Sequence, residues 1–241
     1  PSTKEYCTLG GMIANNSSGP HAVKYGATRD YVISLEVVLS NGEVITTDPV
    51  SLGMKGEEVQ KNPETLEERI YRVIPDLLSR YEKPLEEEKP YSMKNSSGYD
   101  LWKLLDHGHL NLTSLFVGSE GTIGVITEAK LRLTSLPART LSGLIYFNDL
   151  DPVGAAVQEI LELSPIMVEI IERQILDLAR AQKAEMKPFL NEGIEALLFV
   201  EFEGEDQDQL RKKFLDVERK VILQKKLAPD LKVARDDRDR S

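Results

Sequence analysis

Phe116-Val117-Gly118-Ser119-Glu120-Gly121-Thr122-Ile123-Gly124-Val125-Ile126-Thr127 sets three evenly spaced glycines between apolar flanks. Well upstream stands a second glycine-rich stretch, Cys7-Thr8-Leu9-Gly10-Gly11-Met12-Ile13-Ala14-Asn15-Asn16-Ser17-Ser18-Gly19. Each puts small residues where a backbone can approach a ligand closely. Each also groups amides and hydroxyls suited to phosphates and heterocycle edges. In the upstream stretch, Gly10-Gly11 permits a tight turn, and Asn15 to Ser18 can cap a helix or hold an anion. A plain polar surface loop with a helix cap fits that composition equally well. The downstream stretch is not a Walker-type phosphate loop, because no Gly-Lys-Ser/Thr closes it. Its Gly118, Gly121 and Gly124 spacing is not the dinucleotide fingerprint, and Ser119 lacks the glycine two places earlier that a nucleophile elbow needs.

The bulk numbers bound the rest. The 241 residues suffice for one large domain or two modest ones. A net charge of −10 argues against a nucleic-acid surface. Cys7 is the only cysteine, which excludes an internal disulfide and argues against a cysteine-ligated iron–sulfur cluster within the chain. No run approaches the roughly 18 apolar residues of a membrane helix, and no signal peptide is visible. The chain opens on Pro1 without Met, directly into a motif, and is expected to be a fragment of a longer polypeptide.

Residues 31–39 alternate as a strand, Asn41-Gly42 signals a hairpin, and residues 43–47 form the return strand. Residues 49–62 read as a loop. Asn62-Pro63 looks like a helix start, and Leu66, Ile70, Val73 and Leu77 predict an amphipathic helix over 63–80. Residues 82–90 read as a charged loop, 100–105 as a short helix with Trp102, 115–117 as a strand, and 125–134 as another. After Pro137 the pattern turns β-α-β: strand 141–147, helix 151–163, strand or helix 166–180, strand 196–202, and a helix over about 206–226 marked by Leu210, Phe214, Val217 and Val221. That order predicts a ferredoxin-like layer interrupted before its last strand. The tail from Arg235 is pure charge.

Together and in this order, the blocks resemble the FAD-linked oxidase branch of the vanillyl-alcohol-oxidase/PCMH-type flavoproteins. That branch includes glycolate oxidase FAD subunits, D-lactate dehydrogenases and D-2-hydroxyglutarate dehydrogenases. The carrying residues are Thr8 to Gly11, Ala14 to Asn16 and Gly19, then Lys24-Tyr25-Gly26 with Asp30, Val37 to Leu39 before Gly42, and Gly118 to Glu128. The resemblance implies an α+β fold: the second subdomain of a PCMH-type FAD-binding domain over 1–136, then a partial, incomplete ferredoxin-like cap over 137–241. It implies an FAD-dependent oxidoreductase acting on a small D-2-hydroxy acid, with hydride transfer to flavin. It places Ser2, Thr8, Gly10, Gly11, Asn15, Asn16, Ser17 and Ser18 along the cofactor. It adds Glu120, Gly121, Thr122, Ile123, Gly124, Val125 and Ile126, with the Val-Ile end near adenine. The implied partners are the 2-hydroxy acid and an electron-acceptor protein or iron–sulfur module, without nucleic acid. The implied location is cytoplasmic, or peripheral at the inner membrane through partners.

Two family blocks are missing from this sequence: an Arg-Gly-x-Gly-Thr pyrophosphate loop, and the His- and Asn-rich cap motif that carries metal binding and substrate chemistry. No catalytic residue or metal ligand is assigned. A flavin-less module of the same fold and an alkyl-dihydroxyacetone-phosphate-synthase-like enzyme are the alternatives. His107 and His109 read as a polar loop, with metal ligation as the competing reading. Glu169, Glu172, Glu201 and Glu203 read as a solvated face, and Cys7 as a small residue in a turn rather than a flavin attachment point. Asn16, Asn95 and Asn111 begin glycosylation-type triplets taken as chance matches.

Overall fold

A computed structural model describes residues 3–51, 64–92, 94–106, 108–182 and 193–234 of the chain. The chain divides into two compact units, residues 1–19 with 26–134, and residues 20–25 with 135–241.

In the first unit, helix α1 (Leu9–Ala14) precedes strands β1 (Val32–Val38) and β2 (Val44–Thr46). The Asn41-Gly42 hairpin is present, with Gly42 at φ +87° and Asn41 Oδ1 accepting from the Glu43 amide at 3.1 Å. Strand β3 (Val50–Ser51) replaces part of the expected 49–62 loop, and 52–62 lies outside the described residues. Helix α2 (Leu66–Arg80) begins at Thr65, not at Asn62-Pro63, which also lies outside them. Thr65 and Glu68 form a reciprocal capping box that fixes this start. Helix α3 (Glu82–Glu87) occupies part of the expected charged loop. Pro84 sits in its first turn, where a missing N–H costs nothing, and its carbonyl accepts from the Glu88 amide at 2.9 Å.

A 3₁₀ turn at Leu101–Lys103 carries Trp102, whose Nε1 donates to the Leu85 carbonyl at 2.7 Å. Strands β4 (Leu105–Asp106) and β5 (His109–Leu110) follow, and β5 joins β3 and β4 into a small sheet of order β3-β5-β4. The strand expected at 115–117 is instead helix α4 (Thr113–Phe116). A short apolar run does not distinguish the two by period. Here Asn111 Oδ1 accepts from the Thr113 amide, and the Thr113 hydroxyl is buried against Thr47, which turns the chain helical. Strand β6 (Val125–Leu131) then pairs antiparallel with β1, giving order β2-β1-β6. The core beneath gathers Ile13, Leu35, Val37, Ile45, Leu112 and Phe116.

The second unit contains β7 (Arg139–Phe147), α5 (Val153–Leu161), β8 (Met167–Glu172), α6 (Arg173–Gln182), β9 (Ala196–Gly204) and α7 (Gln207–Val217). Helix α7 continues in wider π turns over Glu218–Gln224. The expectation of a missing last strand does not hold. Strand β10 (Asp230–Val233) pairs antiparallel with β7, completing the order β10-β7-β9-β8, the ferredoxin-like arrangement. Alternate residues of β7 and β9 turn one face toward α5 and α7, where Phe202 and Phe214 meet edge to face at 5.1 Å. On the other face Tyr146 is buried with Leu176, Ile194 and Leu197. Its hydroxyl has no hydrogen-bond partner among the described residues, and burial pushes its pKa up to about 12. Residues 20–25, including a single helical turn at Ala22–Tyr25, belong to this unit.

Candidate functional site

The two glycine-rich stretches meet. The Gly118 amide donates to the Ile13 carbonyl at 3.0 Å, and the Glu120 amide donates to the Ala14 carbonyl at 2.9 Å. Asn15 and Gly121, each one residue further on, therefore flank the same seam. Thr8 caps α1 by accepting from the Gly11 amide at 3.1 Å. Asn15 closes the helix, with Nδ2 donating to the Gly11 carbonyl. Thr8, Gly10, Asn15, Glu120, Gly121, Thr122 and Val125 are exposed. A Cβ built on Gly10 or Gly121 would meet nothing within 4 Å, so the space over both backbones is open. Ser2 lies outside the described residues.

Other predicted residues are used internally. Asn16, at φ +46° and 2% exposed, accepts the Arg29 amide on Oδ1 at 3.0 Å and donates from Nδ2 to the Asn95 carbonyl at 3.5 Å. Its burial also removes it as a glycan acceptor in the folded chain. The Ser17 carbonyl accepts from the Thr28 amide and hydroxyl, and Ser18 is half-buried. Ile123 and Ile126 pack on the core. A Cβ on Gly124 would stand 2.6 Å from Val37 Cγ1 and 3.1 Å from the Val38 carbonyl oxygen, so this glycine serves strand packing. Val125 and Ile126 open β6 opposite Val38 and Val37, with Val125 left 65% exposed.

Arg29 is the residue that sequence reasoning missed. Its Nη2 donates to the Val117 carbonyl at 3.0 Å, its Nη1 pairs with Asp100 at 3.0 Å, and its backbone holds Asn16. A Cβ on Gly118 would lie 3.3 Å from both Arg29 Nη2 and Asn16 Cβ. Arg29 thus clamps both stretches and the 95–100 segment to one another. The neighbouring Asp30 had been singled out, but only the fold brings Val117 and Asp100 to Arg29.

The residues present fit FAD. Open backbone at Gly10 and Gly121 admits close approach by a flat or phosphate-bearing group. Thr8 and Asn15 are exposed at the two ends of α1, and exposed Val125 offers an apolar side chain. The amides of Gly118, Glu120 and Thr122 are already committed to Ile13, Ala14 and Ser119. The Thr122 hydroxyl donates to the Ser119 carbonyl at 2.5 Å and lies 2.7 Å from the Tyr99 hydroxyl.

In the second unit the four glutamates divide. Glu169 and Glu172 are exposed, as a solvated face requires. Glu203 instead accepts from Lys24 Nζ and the Tyr25 hydroxyl, and Glu201 faces His21 Nε2 at 3.4 Å. Burial raises the Glu203 pKa, but the hydrogen bonds from Lys24 and Tyr25 and the Lys24 charge outweigh it and hold the carboxyl below its usual range. His107 lies outside the described residues, and His109 sits in β5. Cys7 Sγ lies 2.8 Å from Thr3 Oγ1. Among the described residues no cluster of three His, Cys, Asp or Glu could hold a metal, and no helix is long and apolar enough to cross a membrane.

The chain is similar to known proteins. A family model described as FAD binding domain matches residues 1–48, and one described as FAD linked oxidases, C-terminal domain, matches residues 136–241. Together the matches span more than half of the chain, which belongs to the FAD-linked oxidase family, whose cofactor is FAD. The chain is 30% identical over 217 residues to a D-2-hydroxyglutarate dehydrogenase of Pantoea ananatis (strain AJ13355), covering 87% of this chain and 21% of that protein. It is 31% identical over 178 residues to the glycolate oxidase subunit GlcD of Bacillus subtilis (strain 168), covering 73% and 27%. A solved alkyldihydroxyacetonephosphate synthase superposes with a TM-score of 0.57 at 21% identity, over 97% of this chain and 34% of that one. At that identity the likeness concerns the fold alone. The chain thus spans only 21% and 27% of the two relatives' lengths.

Proposed function

We propose that this chain forms one wall of the flavin site, and part of the substrate-side cap, of a dehydrogenase that oxidises a small D-2-hydroxy acid. When bound, FAD supplies the hydride acceptor. The chain's own residues do the positioning. Thr8 and Asn15 fix the short helix whose glycines open onto the cofactor. Glu120, Gly121 and Thr122 present the facing backbone, and Arg29 with Asn16 holds the two sides at constant separation. Gly11, Ser17, Ser18, Ile123, Gly124, Val125 and Ile126 complete this wall from behind or at its ends, and Ser2 is assigned to the cofactor by the family resemblance alone. Electrons then pass to a separate acceptor, a protein or an iron–sulfur module.

The seam at Gly118–Ile13 and Glu120–Ala14, with open space over Gly10 and Gly121, carries this reading. The names of the relatives support a hydroxy acid as substrate over alkyl-dihydroxyacetone-phosphate chemistry, whose structural likeness rests on lower identity. The test is anaerobic bleaching of the yellow flavin band in the longer polypeptide that the lengths of the relatives suggest. D-lactate, glycolate and D-2-hydroxyglutarate form the panel. Bleaching by at least one member is expected, and none by any would overturn the reading. The 241-residue chain alone is expected to hold flavin weakly and turn nothing over, because part of a site loses contacts and preorganisation together.

A further inference from the structure

A cavity of about 240 Å³ lies beside Arg29, between it and residues 89–92 and 94–103. Its walls carry Arg29, Lys89, Lys94 and Lys103 against Asp30 and Asp100. That is a cationic surplus in a chain whose net charge is −10. Both carboxylates are committed, Asp100 to Arg29 at 3.0 Å and Asp30 to Lys103 at 3.5 Å. Lys89 and Lys94 make no ion pair among the described residues. Arg29 Nε is buried and lacks an acceptor among them. Uncompensated ammoniums around a polar concavity raise the local concentration of anions.

The donor set favours one kind of anion. A carboxylate is best held by a free guanidinium fork. Here both Arg29 Nη groups are spent, on Val117 and Asp100. What remains is two lysines, point charges with rotatable donors, which suit a tetrahedral dianion. The volume falls below the roughly 300 Å³ at which pockets for larger ligands begin. We propose that this cavity is a binding site for the phosphoryl group of a small phosphorylated molecule. The proposal does not depend on the flavin reading, since nothing in it involves the open space over Gly10 and Gly121.

Calorimetric titration of the full 241-residue chain, without flavin and at low ionic strength, tests it. The probes are inorganic phosphate, pyrophosphate and malonate. The phosphate-bearing probes are expected to saturate at one per chain, and malonate to bind more weakly. The K89Q/K94Q double variant should lose about tenfold or more in affinity. The charge-matched K4Q/K212Q control, altered at exposed lysines elsewhere, should bind like the parent. Absence of saturation with both phosphate probes overturns the site. So does equal weakening in the two double variants, and malonate binding as tightly as phosphate would overturn the assignment to a phosphoryl group.

Discussion

Gly121 and Gly124 stand three residues apart in one motif, yet different physics selects them. Gly121 adopts φ +76° over open space, and Gly124 packs against Val37 and Val38. Gly121→Val should cost the fold only about 1–2 kcal/mol of backbone strain while removing flavin retention in the longer polypeptide. Gly124→Ala should cost about 1–3 kcal/mol through overpacking. Urea midpoints and bound-flavin absorbance, measured on both variants, separate the two roles. Retention of FAD at parental affinity by Gly121→Val would break the assignment of this backbone to the cofactor wall. Arg29→Ala should be the severest single change in the first unit, at about 3–5 kcal/mol, because it strands buried Asp100 without its partner. Arg29→Lys should fall between, keeping charge but not the fork. A urea midpoint for Arg29→Ala close to the parent's would show that the clamp contributes little. The motif was legible in sequence because glycine, asparagine and serine cluster locally. The division of labour within it was not, because it depends on Val37, Val38 and Arg29, all distant along the chain.

Local signals carried most elements, and they failed where a distant partner decides. The hairpin at Asn41-Gly42 and the helix α2 depend on neighbours in sequence, and both are present. But the face that α2 packs on the core is Leu66, Ile70, Tyr71, Ile74 and Leu78, with the expected Val73 and Leu77 left exposed. The turn of helix at Thr113–Phe116 depends on buried Thr47, and β10 depends on finding β7, so neither showed in the pattern. One such distant contact ties the hairpin to α2. Glu43 accepts from the Leu66 amide at 2.9 Å and the Glu67 amide at 3.2 Å, at the positive end of the helix. The Leu66 bond holds the Glu43 carboxyl below its ordinary value of 4.5, with Glu67 and Asn41 helping against desolvation. A depressed folded-state pKa gives stability that is complete above the unfolded value and fades as pH falls through the folded one. Glu43→Gln should therefore narrow the stability difference between neutral and acid pH, by lowering the neutral value. Parallel denaturation curves for variant and parent at every pH would remove Glu43 from the account.

At the scale of the whole molecule, the chain visits its two units alternately: residues 1–19, then 20–25, then 26–134, then 135–241. The short second visit is held in place by Glu201 and Glu203 through His21, Lys24 and Tyr25. The exposed stretch around Leu133 and Leu136, at 90% and 91% exposure, is the natural place for a protease to cut. Such a cut leaves residues 20–25 on the upstream fragment while they still complete the downstream fragment's fold. Residues 20–25 therefore tie the upstream fragment to the downstream one, and a cut in this exposed stretch should not separate the two. Nicked protein should run as one species on gel filtration and as two bands only in denaturant, whereas E201Q/E203Q should let the nicked halves drift apart. Separation of the nicked parent without denaturant would show that six residues are too weak a stitch.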